Sequence, residues 1–132
     1  MLGKICEKYQ TGFWVIFRVF IGFLFFLHGT QKVFGMFGGT MQPLTSLMGA
    51  AGIIELVAGI AITIGLFTRL AAFVSAIEMV VAYVMVHYPK GAVPITNGGE
   101  LALLYFAAFL ILVANGSGTW SVEKALFKKE FF

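Results

Sequence analysis

The sequence predicts an all-α membrane protein, a bundle of four helices followed by a short amphipathic C-terminal helix. Of its 132 residues, 60% are hydrophobic and only 11% are charged, whereas soluble domains carry about 25% charged residues. Four apolar segments are each close in length to the roughly 20 residues that a helix needs to cross the hydrocarbon of a bilayer. The 15 phenylalanines and 16 glycines combine lipid-facing bulk with close helix contacts.

The four membrane helices are predicted over residues 13–33, 50–67, 70–87 and 98–114. Residues 34–49 form an uncharged loop, and "TRL" at 68–70 is a tight turn that makes the second and third helices antiparallel neighbours. Residues 88–99 form a loop rich in proline and glycine. After "GSGTW", residues 121–132 predict the short amphipathic helix, a type that usually lies on a membrane surface.

The distribution of positive charge predicts that both termini are cytoplasmic in a multi-pass plasma-membrane protein. In a four-pass chain, only Lys32 and Lys90 fall on the side opposite the termini. The terminal side carries Lys4, Lys8, Arg69, Lys124, Lys128 and Lys129. Lysine and arginine concentrate in cytoplasmic loops, so this side is expected to face the cytoplasm. Because Arg18 interrupts the first apolar segment, we interpret that segment as a retained helix rather than a signal peptide.

Two charged residues deep in the predicted helices are expected to pair. Ionisable groups within hydrocarbon are costly and face the bundle interior. Arg18 and Glu78 each lie on a helix face rich in small residues. At 1.5 Å per residue, they lie about 9 and about 12 Å from the cytoplasmic ends of their helices. The sequence therefore predicts a structural Arg18–Glu78 ion pair.

A second polar cluster is predicted in the outer half of the bundle. Its members are His28, Gln31, Lys32, Glu55, His87, Asn97 and Glu100. Glu55 is the most informative member, because an acid within a membrane helix usually has a function. Each member also has a structural interpretation. Asn97 and Glu100 have capping-box spacing, Lys32 can reach the headgroups, and Glu55 can pair with Lys32 or His28 to hold the bundle together.

Metal and haem sites are not expected. His28 and His87 are the only histidines, and neither a haem-attachment motif nor an HExxH motif is present. The single cysteine, Cys6, cannot form an internal disulfide or a redox pair. The basic residues are scattered or lie at the ends of apolar runs, so nucleic acid is not an expected partner.

Several separated motifs resemble the DoxX family of small four-helix membrane proteins. They are "FRVFIGFLFFLHGTQKVFG" (17–35), "GLFTRLAA" (65–72), "HYPKGAVPITNGGELALLYF" (87–106) and "GSGTWSVEK" (116–124). The resemblance implies one DoxX-like domain over residues 1–132. Relatives usually have an aspartate after "WS", where this chain keeps the charge as Glu123. Some relatives are named as membrane subunits of a thiosulfate:quinone oxidoreductase or are associated with quinol oxidation, and others with oxidoreductase assemblies.

Three functional hypotheses follow, and they leave open whether the chain is an enzyme. The first is a membrane subunit that binds a quinone or similar lipophilic ligand, with the polar cluster at the head group and phenylalanines lining a cleft for the tail. The chain has no flavin or iron–sulfur motif, so electrons would come from a soluble or membrane oxidoreductase partner. The second is a non-catalytic assembly or scaffold subunit, and the third a small transporter. Membrane lipid is an expected partner in each case, and a homo-oligomer is compatible with all three.

Overall fold

The computed structural model describes residues 1–131, which contain helices and loops but no strand. The helices are α1 Leu2–Phe34, α2 Leu47–Ile64, α3 Thr68–Ala82, α4 Pro94–Asn97, α5 Glu100–Asn115 and α6 Val122–Phe127. After α3 the chain continues directly as a π-helical turn, Tyr83–His87, and a 3-10 turn, Tyr88–Lys90. The predicted all-α class is confirmed. The bundle consists of α1, α2, α3 and α5.

Three helical stretches are long and apolar enough to span a membrane: α1, α2, and α3 with its extension to Lys90. The fourth, α5, is apolar but has only 16 residues. At 1.5 Å per residue it is about 24 Å long, somewhat short of the about 30 Å of hydrocarbon. The chain is therefore a membrane protein by length and composition, and the cytoplasmic placement of its termini stays a prediction.

Helix α1 begins eleven residues before the start predicted at residue 13, because it is helical from Leu2. The prediction followed hydrophobicity, which marks where a helix enters the membrane but not where it begins. With 33 residues, α1 is about 50 Å long and exceeds the thickness of the hydrocarbon. Its first ten residues are all exposed, so the predicted N-terminal arm is a projecting helix.

The turn between α2 and α3 lies three residues before the predicted position at 68–70. Gly65 ends α2 in the left-handed conformation, with φ 73°, and its N–H donates to carbonyls of the last helical turn. Phe67 also has a positive φ, 48°, and Thr68 begins α3. Glycine reaches this conformation without the steric cost that a side chain brings. Arg69, assigned to the turn from sequence, therefore lies in the first turn of α3.

Helices α1 and α2 pack backbone to backbone through glycines. A Cβ atom on Gly22 would lie 2.6 Å from the Thr63 nitrogen, and one on Gly59 would lie 2.5 Å from the Phe26 nitrogen. Small residues allow such close approach in membranes, where van der Waals packing drives helix association. The bundle centre is filled by fully buried side chains from three helices, including Phe25, Ile62, Phe109 and Leu112.

The two ends of the bundle have different compositions. We call the terminal end the one that contains the start of α1, the α2–α3 turn, the end of α5, and α6. At this end, the Glu123 N–H donates to the Gly65 carbonyl at 3.0 Å, which places the amphipathic α6 against the α2–α3 turn. The distal end contains the end of α1, the start of α2, the π-helical turn and the start of α5. It holds most of the predicted polar cluster.

Candidate functional site

A cavity of about 210 Å³ lies at the distal end, between α1, α2, the α3 region and α5. Four of the seven predicted ligand-binding residues line it: His28, Lys32, Glu55 and His87. The other lining residues are Phe25, Met79, Ala82, Gly98, Leu101, Ala102 and Tyr105. A partly polar cavity within a membrane bundle therefore forms where the sequence predicted one, from about half of the predicted residues.

An ion pair between Lys32 and Glu55 forms the charged wall of the cavity. The Lys32 Nζ donates to Glu55 Oε1, while the buried Oε2 of Glu55 has no hydrogen-bond partner among the described residues. Glycine makes the pairing feasible, because a Cβ on Gly52 would lie only 2.8 Å from the Lys32 Cβ. The sequence-based alternative that Glu55 pairs with Lys32 is thus confirmed. One carboxylate oxygen nevertheless remains able to accept a further donor.

Aromatic contacts position His28 at the cavity wall. Its ring meets the Tyr105 ring edge-on, with centroids 5.8 Å apart, and Tyr105 also packs against Phe25 and Phe109. Sequence reasoning missed Tyr105. A signal was present, because Ala102, Tyr105, Phe109 and Leu112 recur with the spacing of one buried helical face.

His87 reaches the cavity from the π-helical turn. Its Nδ1 lies 3.3 Å from the Asn97 carbonyl oxygen. A Cβ on Gly99 would lie 2.8 Å from the His87 Cβ, so this glycine lets the start of α5 pack closely against the turn. Single π-helical turns are rare and occur often at functional sites. Here the turn places His87 beside the start of α5.

The other three predicted ligand-binding residues do not line the cavity. The Gln31 Nε2 donates to the Phe37 carbonyl at 3.3 Å, because Gln31 lies about 100° around α1 from Lys32. Asn97 is buried but organises its own loop: it donates to the Gly91 carbonyl and accepts from the Gly99 N–H, both at 2.8 Å. Glu100 is exposed at the first residue of α5. The similar depths predicted for these residues along their helices did not determine the directions of their side chains.

The predicted Arg18–Glu78 ion pair is wrong. Arg18 is buried at the terminal end, where Nη1 donates to the Ser117 carbonyl and Nη2 donates to the Thr63 carbonyl at 3.5 Å. Glu78 lies ten residues into α3, about 15 Å along its axis. The prediction measured both depths from the ends of the apolar segments, but Arg18 lies level with the α2–α3 turn, since a Cβ on Gly65 would lie 2.9 Å from its Nη1.

Glu78 lies instead beside the distal cluster. It is close enough to Glu55 and Lys32 to interact electrostatically with both. The residue is only 8% exposed, and neither carboxylate oxygen has a hydrogen-bond partner among the described residues. The distal end therefore contains two buried acids for one lysine, an arrangement that can hold a proton or accept a hydrogen bond from a ligand.

Within residues 1–131, no group of three or more His, Cys, Asp or Glu side chains converges to hold a metal ion. His28 and His87 line the same cavity, yet each has a local contact: His28 with the Tyr105 ring and His87 with the Asn97 carbonyl. The polar side chains that line this cavity are a lysine, an acid, two histidines and a tyrosine. This combination of hydrogen-bond donors and acceptors suits an organic head group.

The DoxX family model matches residues 13–88, which is more than half of the chain. The chain belongs to the DoxX family. It is 42% identical over 130 residues to an uncharacterized protein of Haemophilus influenzae, covering 93% of this chain and 97% of the relative. It is also 30% identical over 120 residues to a Bacillus subtilis protein named "Putative oxidoreductase CatD", covering 86% and 87%. No solved structure matches this DoxX protein.

Proposed function

We propose that this DoxX protein binds a quinone or similar lipophilic ligand in the distal cavity and serves an oxidoreductase system of the plasma membrane. The observation that carries the proposal is the cavity itself, where Lys32, Glu55 and His87 from three different helical elements face one space. The name of the Bacillus subtilis relative supports the oxidoreductase context.

The cavity residues fit a quinone head group. The Lys32 ammonium and the His28 ring can donate to the carbonyl oxygens of the quinone, and the unpartnered Oε2 of Glu55 can accept from a hydroxyl of the reduced quinol. Phe25 and Tyr105 supply aromatic surface for a planar ring. When bound, the quinone would supply two-electron redox chemistry. The side chains would hold the ring, exclude water and exchange protons at Glu55, while a soluble or membrane oxidoreductase partner supplies the electrons.

Two measurements on the purified protein test this proposal. Mass spectrometry of the lipid extract identifies any quinone that co-purifies, and an ultraviolet–visible spectrum reports haem. Saturable binding of an added decyl-substituted benzoquinol, the reduced form whose hydroxyls can donate to Glu55, then reports on the site directly. Bound quinone, or saturable binding that weakens about tenfold in Glu55→Gln, supports the proposal, since a hydrogen bond to a charged group contributes about 1.5 kcal/mol or more. A protein with neither property would refute it.

A scaffold function is the second candidate, and the terminal end favours it. The segment after α5 packs against the α2–α3 turn but leaves Trp120 and Leu126 about two-thirds exposed, at 65% and 66%. Exposed large apolar residues beside a membrane surface suit contact with a protein partner. Under this function, Trp120→Ala together with Leu126→Ala abolishes co-purification of the partner, and ligand binding at the distal end stays unchanged.

A further inference from the structure

A groove of about 480 Å³ runs between α2 and α3 beside the distal cavity. Its walls are mainly apolar: Leu47, Ala51 and Ile54 lie on α2, and Ile77, Val81 and Met85 lie on the α3 side. Ile77 and Met85 are more than half exposed, so the groove opens on the side of the bundle, toward lipid. Among residues 1–131, no phenylalanine lines it, which differs from the predicted phenylalanine cleft.

The volumes of the two spaces are consistent with one ligand that occupies both. Small-molecule pockets usually measure about 300–1,000 Å³. The polar cavity, at about 210 Å³, is too small to hold more than a head group, whereas the groove falls within that range. A ligand with an apolar tail therefore needs a second space close to the cavity.

The groove and the cavity adjoin at a junction formed by Lys32, Ala82 and His87, which line both. Glu78 lies on the groove side of this junction. It is more than nine-tenths buried, and neither of its oxygens has a partner among the described residues. A buried carboxyl group without a partner costs free energy unless something binds it. Glu78 is thus a buried acid without a partner beside the space where head group and tail would meet.

We propose that the α2–α3 groove binds the hydrocarbon tail of the ligand, and that Glu78 contacts the head group at the junction. The inference rests on the proposed function. It defines the ligand as an amphiphile with a flexible apolar chain. Its head group carries an acceptor for Lys32 and a donor for Glu78. It also places the access route on the lipid side of the bundle, so the ligand reaches the cavity without crossing water.

Photocrosslinking in lipid nanodiscs tests the inference. The probe is a benzoquinol, kept reduced, whose hydroxyls can donate to Glu78 and whose decyl chain ends in a diazirine. Tandem mass spectrometry locates the adducts with and without excess unlabelled decyl-benzoquinol. The proposal predicts adducts on groove residues such as Ala51 and Val81 that disappear under competition. Adducts on lipid-facing positions outside the groove, such as Val57, which is 65% exposed, should persist because they arise from probe dissolved in lipid.

The outcomes separate the two proposals. Adducts sensitive to competition but located on other helices would overturn the groove while leaving quinone binding intact. An absence of competition at every position would refute the proposed function itself.

A substitution in the same crosslinking experiment tests the contribution of Glu78. Glu78→Leu should raise the concentration of unlabelled competitor that halves the adduct yield by about tenfold, which corresponds to a hydrogen bond of about 1.4 kcal/mol. Val57→Leu should leave this concentration unchanged. An unchanged value in Glu78→Leu would remove this residue from the site.

Discussion

The two ends of the bundle use buried charge in opposite ways. At the terminal end, cationic and indole side chains donate to backbone carbonyls that are distant in sequence: Trp14 to Gly116, Arg18 to Ser117, and Arg69 to Val113 and Ala114. At the distal end, Lys32 satisfies one oxygen of Glu55, and three carboxylate oxygens of Glu55 and Glu78 have no hydrogen-bond partner within residues 1–131.

This difference separates stability from function. Carbonyls at the end of a helix lack partners within the helix, so a cation that binds them joins two segments and stabilises the fold. Unpartnered acids add nothing comparable to stability. Their presence beside a cavity and an apolar groove is typical of a binding site, where local rules of stability are broken. The terminal end should therefore respond to mutation in stability, and the distal end in ligand binding.

The largest loss of stability is expected for Arg18→Ala. It removes donors to the Ser117 and Thr63 carbonyls, and hydrogen bonds to charged groups contribute about 1.5–3 kcal/mol each. We expect the free energy of unfolding in detergent to fall by about 2–3 kcal/mol. Lys4→Ala, an exposed charge at the start of α1, is the matched control. An Arg18→Ala loss no larger than that of the control would contradict the account.

A slightly smaller loss is expected at the α1–α2 contact that connects the two ends. A Cβ on Gly59 would meet backbone atoms of Phe26 and Gly22 within 3 Å, so Gly59→Val forces the helices apart. Overpacking typically costs about 1–3 kcal/mol, which thermal unfolding can measure. Gly12→Val is the control, because a Cβ there meets no atom within 4 Å. Equal melting temperatures for the two variants would show that the helices do not pack as closely as described.

The Lys32–Glu55 pair should contribute about 1 kcal/mol, in line with interhelical polar interactions measured in membranes, which reach about 1.7 kcal/mol. A double-mutant cycle with Lys32→Met and Glu55→Gln isolates this coupling energy. A coupling energy of zero would mean that the ion pair is not formed in the membrane.

The smallest effect on stability is expected for Glu78→Leu. The substitution removes no hydrogen bond to any residue that the structure describes, and it replaces a buried acid with an apolar side chain of similar size. The free energy of unfolding should stay within about 0.5 kcal/mol of the wild type or rise. A loss as large as that of Arg18→Ala would show that Glu78 is structural after all.

Apolar length and charge were sufficient to predict the helical class and the presence of four bundle helices. They were also sufficient to predict that His28, Lys32, Glu55 and His87 lie together, and these four residues line one cavity. Helix ends were less predictable, because α1 continues beyond its apolar part and Gly65 ends α2 by its conformation rather than its hydrophobicity.

Side-chain partners were the least predictable feature. The depth estimates assumed that the predicted helix ends lie at one level. Arg18 instead lies beside the α2–α3 turn, and Glu78 lies about 15 Å along α3, so the predicted Arg18–Glu78 pair was incorrect. Periodicity gives the face of a helix but not its neighbour. The bonds of Arg18 to the segment after α5 and the contribution of Tyr105 therefore became apparent only in three dimensions.

The most direct test of the central claim is the change in melting temperature on adding decyl-benzoquinol, kept reduced, to wild type, Glu55→Gln and Glu7→Gln. A ligand that binds the folded state raises the melting temperature with concentration. The account predicts this rise in wild type and in Glu7→Gln, an exposed acid at the terminal end, and its loss in a folded Glu55→Gln protein. Tyr105→Phe serves as a second cavity variant if Glu55→Gln does not fold, and it should show a smaller rise. An equal rise in all variants, or no rise in the wild type, would contradict the claim that the distal cavity binds the ligand.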